Sequence, residues 1–396
     1  MRFLKGAMLA LPLLAVAAVA QTPDAALRLT PMPEPVLATA QPPVRLPPVA
    51  TPVTSPAPAP ATVTPPPSTG PYGPQKLTFP GGVSALFDVP YANLRGFRPL
   101  TLDLYVPAAR NMALPLVVFV HGGGWNGGDT RHAAGIADFP RELANLAAQG
   151  YVVASVNYRL SGEARFPAAV QDVKFAIRWL RAQARELNVD ITRVALWGDG
   201  AGGQLAALAG VTCGVATFDP EPPNKDAGEL PSICVQAVID WYGASDLQNL
   251  AADNLGSADA QGFKPVSSTE FQPPPKSDEG SFLGCEPALC PPMAARLASP
   301  LAFISSNNPS FLIQHGETDT VVSPKQSQKL HEALRKAGVP AELITYPGVG
   351  HDFARQGAPD PATQRLALEK IASFLAGIFP PVPLGSTVAR PRGSLY

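Results

Sequence analysis

The stretch RVALWGDGAGGQLAAL, running from Arg193 to Leu208, decides the fold. It begins as an apolar strand, passes through Gly198-x-Gly200-x-Gly202 and continues as a helix. A strand-turn-helix elbow of this kind forces its central residue into a strained backbone conformation, so that the central side chain points up from the end of a sheet. Glycines flank the turn because neighbouring chain passes too close for a Cβ. The central residue here is Gly200, so the turn is predicted to form without a side chain to present.

Outward from the elbow, short apolar runs alternate with helical periodicity. Strands are predicted at LTLDLYV from Leu100, LPLVVFV from Leu114, YVVASVNY from Tyr151, VQAVIDWYG from Val235, FLIQHG from Phe311 and AELITYPG from Ala341. Several are nearly continuous Val, Leu and Ile, as expected of strands covered on both faces. The run from Phe166 to Val189 places Val170, Val173, Ala176, Ile177, Leu180 and Ala184 on one helical stripe. A second helix opens with Ser323 as N-cap and Pro324 at its first position, and closes at Gly338. This alternation predicts an α/β class with a mostly parallel, doubly wound sheet flanked by helices.

In such sheets the working residues follow the carboxyl ends of strands. After LVVFV comes His121-Gly122-Gly123-Gly124-Trp125, whose glycines let backbone N–H groups turn towards a substrate oxygen. After FLIQHG comes Glu317-Thr318-Asp319, and after ELITYPG comes Gly350-His351-Asp352. An acid and a histidine following the last two strands fit an acyl-transfer site, in which the acid fixes the imidazole tautomer and the imidazole moves protons.

These pieces resemble the α/β-hydrolase esterases of the hormone-sensitive-lipase and bacterial feruloyl- and acetylxylan-esterase-like group. The resemblance covers residues 77–378 through HGGGW at His121, NYRL at Asn157, FPAAVQDVKFAIRWL at Phe166, GDGAGG at Gly198, DWYGASDL at Asp240, HGETDTVVSP at His315 and GHDF at Gly350. It implies Asp319 and His351 as catalytic acid and base, and Gly123, Gly124 and the Ala201 amide as oxyanion donors. The family elbow reads Gly-Asp-Ser-Ala-Gly-Gly, so Gly200 stands at the nucleophile position with the serine missing. Acyl-enzyme chemistry needs an oxygen there. Asp199 occupies the wrong step of the turn to replace it. A natural pseudoenzyme, a substituted esterase and a slow hydrolase using water are the three readings that remain. The implied substrate is a carboxylic ester, of a short acyl group or of a feruloyl or acetyl group on polysaccharide.

Other residues read as structural. Asp246 follows an earlier strand, but DTVVSP around Asp319 fits the acid better. His121 reads as a hydrogen-bonding residue of its loop, His132 and His331 as surface residues, and His315 as packing. No His, Cys or carboxylate pair has metal spacing, and no cofactor fingerprint occurs. A net charge of −1 on 396 residues offers no footprint for nucleic acid or an anionic membrane.

Residues 1–20 carry Arg2 and Lys5, an apolar run and Ala18-Val19-Ala20, and read as a secretory signal peptide rather than a stable membrane span. Gln21 in place of cysteine suggests no lipid anchor. Residues 21–75 are a Pro-rich tether, 76–379 the α/β-hydrolase domain and 380–396 an unstructured tail. The insert around Asn254–Ser281 is expected to flank the mouth of the site. Four cysteines suit an exported, secreted or periplasmic protein. Of three possible pairings the local one, Cys213 with Cys234 and Cys285 with Cys290, is expected, with free buried thiols as the alternative. The function expected is an exported ester-hydrolase-type protein with little or no activity as written. The competing class is a non-catalytic module that binds a small acid or ester.

Overall fold

The computed structural model describes residues 75–108, 112–220, 230–255, 277–285 and 290–380. The expectations for the signal peptide, the tether, the tail and most of the insert lie outside these residues.

Nine strands form one sheet: β1 Lys76–Phe79, β2 Val83–Ala92, β3 Leu100–Val106, β4 Leu114–Val120, β5 Val152–Val156, β6 Val189–Asp199, β7 Ala237–Trp241, β8 Ser310–Gly316 and β9 Ala341–Tyr346. Their order is β1-β2-β3-β5-β4-β6-β7-β8-β9. β1, β2, β3 and β5 are joined by antiparallel pairings, and every pairing from β5 through β4 to β9 is parallel. The helices are α1 Phe139–Ala148, α2 Ala168–Ala182, α3 Ala184–Leu187, α4 Ala201–Val211, α5 Leu250–Leu255, α6 Asp278–Leu283, α7 Pro292–Leu297, α8 Pro324–Lys336 and α9 Pro361–Ile378. This is the α/β-hydrolase architecture, a mostly parallel sheet flanked by helices.

Side chains alternate across the strands and feed two cores. Leu116, Val118 and Val120 of β4 join Val173 and Ile177 of α2, Leu205 of α4 and Leu330 of α8. Val117 and Phe119 face the other way, onto Phe139 and Leu143 of α1 and Ile371 and Leu375 of α9. Strands covered on both sides need no polar face, which is why β4 reads as an unbroken apolar run.

Local details differ from expectation at two places. The helix predicted from Phe166 stops at Ala182, and the single turn α3 ends at Asn188, which adopts the left-handed conformation at φ 55°. Ser323 does stand before α8, but its side chain makes no capping bond and its buried Oγ has no partner among the described residues.

The four cysteines pair as Cys213–Cys234 and Cys285–Cys290. The loop closed by the first pair is also pinned to α2. The fully buried Lys174 donates to Thr212 O (2.7 Å) and Asp219 Oδ1 (3.2 Å), and Arg181 donates to Ser232 O at 2.6 Å.

Candidate active site

Parallel strands deliver their following loops to one edge of the sheet. The loops after β4, β6, β7, β8 and β9 carry His121 to Gly124, Gly200, Tyr242, Asp319 and His351 respectively.

The elbow is tight. Gly200 has φ 52° and ψ −115°, its N–H donates to Trp241 O at 2.8 Å, and α4 starts at the next residue. A Cβ at Gly202 would collide with the Val120 and His121 carbonyls, so glycine is required where the helix start crosses the end of β4. Asp199 locks the same junction from below, its Oδ1 accepting the Gly122 N–H at 2.7 Å. The glycine loop and the elbow are therefore one packed unit. The amides of Gly123, Gly124 and Ala201 have no acceptor among the described residues.

His351 meets both sides of this arrangement. Its Nδ1 lies 2.7 Å from Asp319 Oδ2, and a Cβ built on Gly200 would sit 3.7 Å from its Nε2. The expected acid, the expected base and the centre of the elbow thus converge. Asp319 is buried, and its Oδ1 accepts the Val321 and Val322 amides at 2.8 and 2.9 Å. Burial opposes its charge, but hydrogen bonds from His315 and His351 outweigh that penalty and hold the carboxyl well below the usual range. Burial likewise opposes a charged His351. The hydrogen bond and charge of Asp319, with Asp352 and Asp199 adding, reverse the balance and raise its pKa.

Sequence assigns no role to two neighbours, Tyr242 and Asp352. Tyr242 is buried at φ 45°, its ring centroid 4.7 Å from that of His351 and its Cε2 3.8 Å from the Gly200 Cβ position. Asp352, at φ 56°, brings Oδ1 to 4.0 Å from His351 Nε2. Left-handed non-glycine residues, Trp125 and Phe353 among them, gather around this edge, as strain commonly does at functional sites. Asp199 is pushed up to about 7 by burial and the charge of Asp352, against the amides of Gly122 and Ala134. His315, expected to pack, is fully buried and also stands 3.3 Å from Asp319 Oδ2.

Asp246 and the remaining histidines have other surroundings. His121 stacks on Tyr158 at 4.4 Å, and burial lowers its pKa to about 4 despite its contact with Gly122 O. Asp246 pairs with Lys329 at 3.2 Å. His132 is exposed and lies beside Asp129, whereas His331 is half-buried on α8. The insert returns in α6, where Asp278 accepts Asn126 Nδ2 at 2.7 Å and packs against Gly124.

A glycine loop, an elbow and an Asp–His pair on successive strand ends of this sheet define an α/β-hydrolase carboxylesterase scaffold. A sequence model of the BD-FAE family matches residues 102–334, more than half of the chain, and the chain belongs to that family. A prolyl oligopeptidase family model matches residues 292–380. Among individual proteins, Esterase LipC of Mycobacterium tuberculosis is 32% identical over 60% of this chain and 53% of its own length. The chain therefore spans about half the length of that relative. A truncated carbohydrate esterase from gut microbiota superposes with a TM-score of 0.57 at 28% identity, covering 74% of this chain and 95% of that one. A propionate-bound esterase of Thermogutta terrifontis gives a TM-score of 0.56 at 26% identity, over 79% of this chain and 97% of its own. No helix among the described residues is long and apolar enough to cross a membrane.

Proposed function

We propose that this chain carries an acyl-transfer site for carboxylic esters whose nucleophile position is held by Gly200, so that as written it hydrolyses esters very slowly or not at all. The observation that carries the reading is the 3.7 Å between His351 Nε2 and a Cβ at residue 200. A hydroxyl on that carbon would fall within hydrogen-bond reach of the imidazole, as a nucleophile and its base must. In this reading Asp319 keeps the His351 proton on Nδ1, leaving Nε2 as base, and the amides of Gly123, Gly124 and Ala201 receive the charge that develops on the carbonyl oxygen.

Without an oxygen on residue 200 no acyl-enzyme bond can form. Water deprotonated by His351 is the remaining nucleophile, and a site reduced to oxyanion stabilisation and binding retains about 10³–10⁴-fold acceleration over water. The bound propionate of the Thermogutta terrifontis relative supports a small acyl group as the acid portion. Residues 1–20 are read as a secretory signal, and the two disulfides support export to an oxidising compartment.

The test is Gly200→Ser, which should raise p-nitrophenyl acetate or butyrate hydrolysis by several orders of magnitude, with His351→Ala abolishing the gain. A folded Gly200→Ser protein inert towards short esters would overturn the acyl-transfer reading. The second reading, a module that binds a small acid or ester without turnover, is favoured by Gly200 itself. Calorimetric titration of the unaltered protein with butyrate and with ethyl acetate tests it.

A further inference from the structure

His315, in β8, is fully buried and takes no part in the acyl-transfer scheme, yet its ring is hydrogen-bonded at both nitrogens. Nε2 lies 2.9 Å from Val322 O and Nδ1 lies 2.6 Å from Ser327 Oγ. A carbonyl can only accept, so Nε2 must carry a proton. Ser327 is both donor and acceptor, and by donating its O–H to Nδ1 it satisfies the neutral ring without burying a charge. Ser327 sits on α8, so the partner of Nδ1 is supplied by that helix.

That tautomer bears on the acid in two ways. The Nε2–H aimed at Val322 O is also 3.3 Å from Asp319 Oδ2, the oxygen that faces His351 Nδ1. The peptide group of Val322 does double duty, because its N–H reaches Asp319 Oδ1 at 2.9 Å while its O is held by His315. His315 thus braces the 319–322 turn and places a positive ring edge beside the oxygen shared with His351.

We propose that His315 is a positioning residue for the acid–base pair, locked by Ser327 as its Nε2–H tautomer, and that it sets how much of the Asp319 charge His351 receives. This rests on reading Asp319 and His351 as acid and base, but its test needs no turnover. A carboxylate with fewer donors attracts an adjacent imidazolium more strongly, so removing the His315 N–H should raise the His351 midpoint. The groups facing His351 are Asp319 after β8, Asp199 at the end of β6, Tyr242 after β7 and its neighbour Asp352. Only Asp319 is touched by His315 as well as by His351 at hydrogen-bonding range.

The experiment is NMR titration of His351 in the unaltered chain, in His315→Leu and in His315→Gln. With five histidines in the chain, the signals are assignable by substitution. His315→Leu should raise the His351 midpoint by about half a pH unit or more, the scale of one lost donor to a charged partner. His315→Gln, which keeps an N–H near the Nε2 position, should restore most of the original value. Equal midpoints in all three proteins, or equal shifts in both variants, would reduce His315 to packing and overturn the proposal. If His315→Leu does not fold, long-range 1H–15N spectra of the unaltered protein decide the matter. They should show His315 protonated at Nε2 and bare at Nδ1, and protonation at both nitrogens or at Nδ1 alone would overturn it. Because the readout is a titration, an inert Gly200→Ser protein would leave this result standing on its own.

Discussion

His351 Nδ1 lies 2.7 Å from Asp319 Oδ2, joining the loop after β9 to the loop after β8 through one oxygen. Backbone bonds tie the same two loops together, Thr318 N–H donating to Val349 O at 2.9 Å and Glu317 N–H to Tyr346 O at 3.0 Å. Asp319 is cradled by two amides of its own turn, and the Gly350 N–H donates to Ala354 O at 2.7 Å. The pair is therefore preorganised without a ligand. Asp319→Asn removes the charge that lifts His351, so the His351 midpoint should fall relative to the unaltered chain. In a Gly200→Ser background the same change should reduce kcat by about 10⁴-fold through loss of tautomer control. Paired NMR titration and ester assays check both outcomes, and an unchanged midpoint would show that Asp319 does not govern His351.

The disulfide Cys213–Cys234 closes a loop with a sequence separation of 21, against 5 for Cys285–Cys290. The longer loop restricts the unfolded chain more, by about 3 kcal/mol in the chain-entropy account. In the folded state Lys174 and Arg181 already hold the same segment against α2. Replacing Cys213 and Cys234 together by Ala should therefore lower the unfolding free energy by an amount of that order while leaving the fold intact. Replacing Cys285 and Cys290 should cost less. Urea unfolding of both double variants decides, and the reverse ranking would mean that native contacts rather than loop closure set the effect.

Asp199 predicts a pH dependence of stability. Its folded pKa of about 7 stands above the ordinary 3.8, so the folded chain binds its proton more tightly than the unfolded chain does. Stability from this group is full below about pH 4, falls as the pH rises to about 7, and changes little beyond. Asp199→Asn keeps an oxygen for the Gly122 N–H and removes the titration. The unaltered protein should lose stability relative to Asp199→Asn between pH 5 and pH 8 in thermal unfolding. His351, whose raised pKa adds a loss of the same sign above pH 6.5, does not cancel in the difference because Asp199 helps raise it, so the part of the difference below pH 6.5 reports Asp199. A difference independent of pH would mean that Asp199 stays ionised in its buried site.

The parts legible in the sequence are those imposed by local chemistry. β4 is apolar because it is covered on both faces, and the spacing of Gly198 and Gly202 marks a crossing of backbones that leaves no room for Cβ atoms. β1 and β2 escaped notice because they form the antiparallel margin. β1 is exposed at three of its four positions, and two register shifts interrupt β2. The break after α2 falls at Gln183, at φ −90° and ψ 11°, and α3 ends at Asn188 in a left-handed conformation, choices that apolar periodicity does not encode. At the site, Asp319 and His351 stand out by following consecutive strands. The roles of His315 and Tyr242 depend on partners 12 and 109 positions away, Ser327 and His351, and no short motif joins such positions.

The last prediction concerns the strain at residue 200. Its φ of 52° and ψ of −115° lie where a side chain is penalised and glycine is not. A non-glycine residue held in such a region costs about 1–3 kcal/mol and persists only when the surroundings enforce it. Here they do: the Gly200 N–H is bound to Trp241 O, the Gly200 O receives the Gln204 N–H, and Gly202 is wedged under the Val120 and His121 carbonyls. The turn cannot relax when residue 200 changes, and space is not the obstacle, since the nearest atoms to a new Cβ are 3.7–4.0 Å away. Gly200→Ser should therefore lower the unfolding free energy by about 1–3 kcal/mol through backbone strain alone, while gaining esterase activity. Gly200→Ala should show the same loss without the gain, separating strain from the hydroxyl's interaction with His351. Calorimetric unfolding of the three proteins, with folding checked by circular dichroism, measures both effects. Variants as stable as the unaltered chain would show that the elbow yields when a side chain is added.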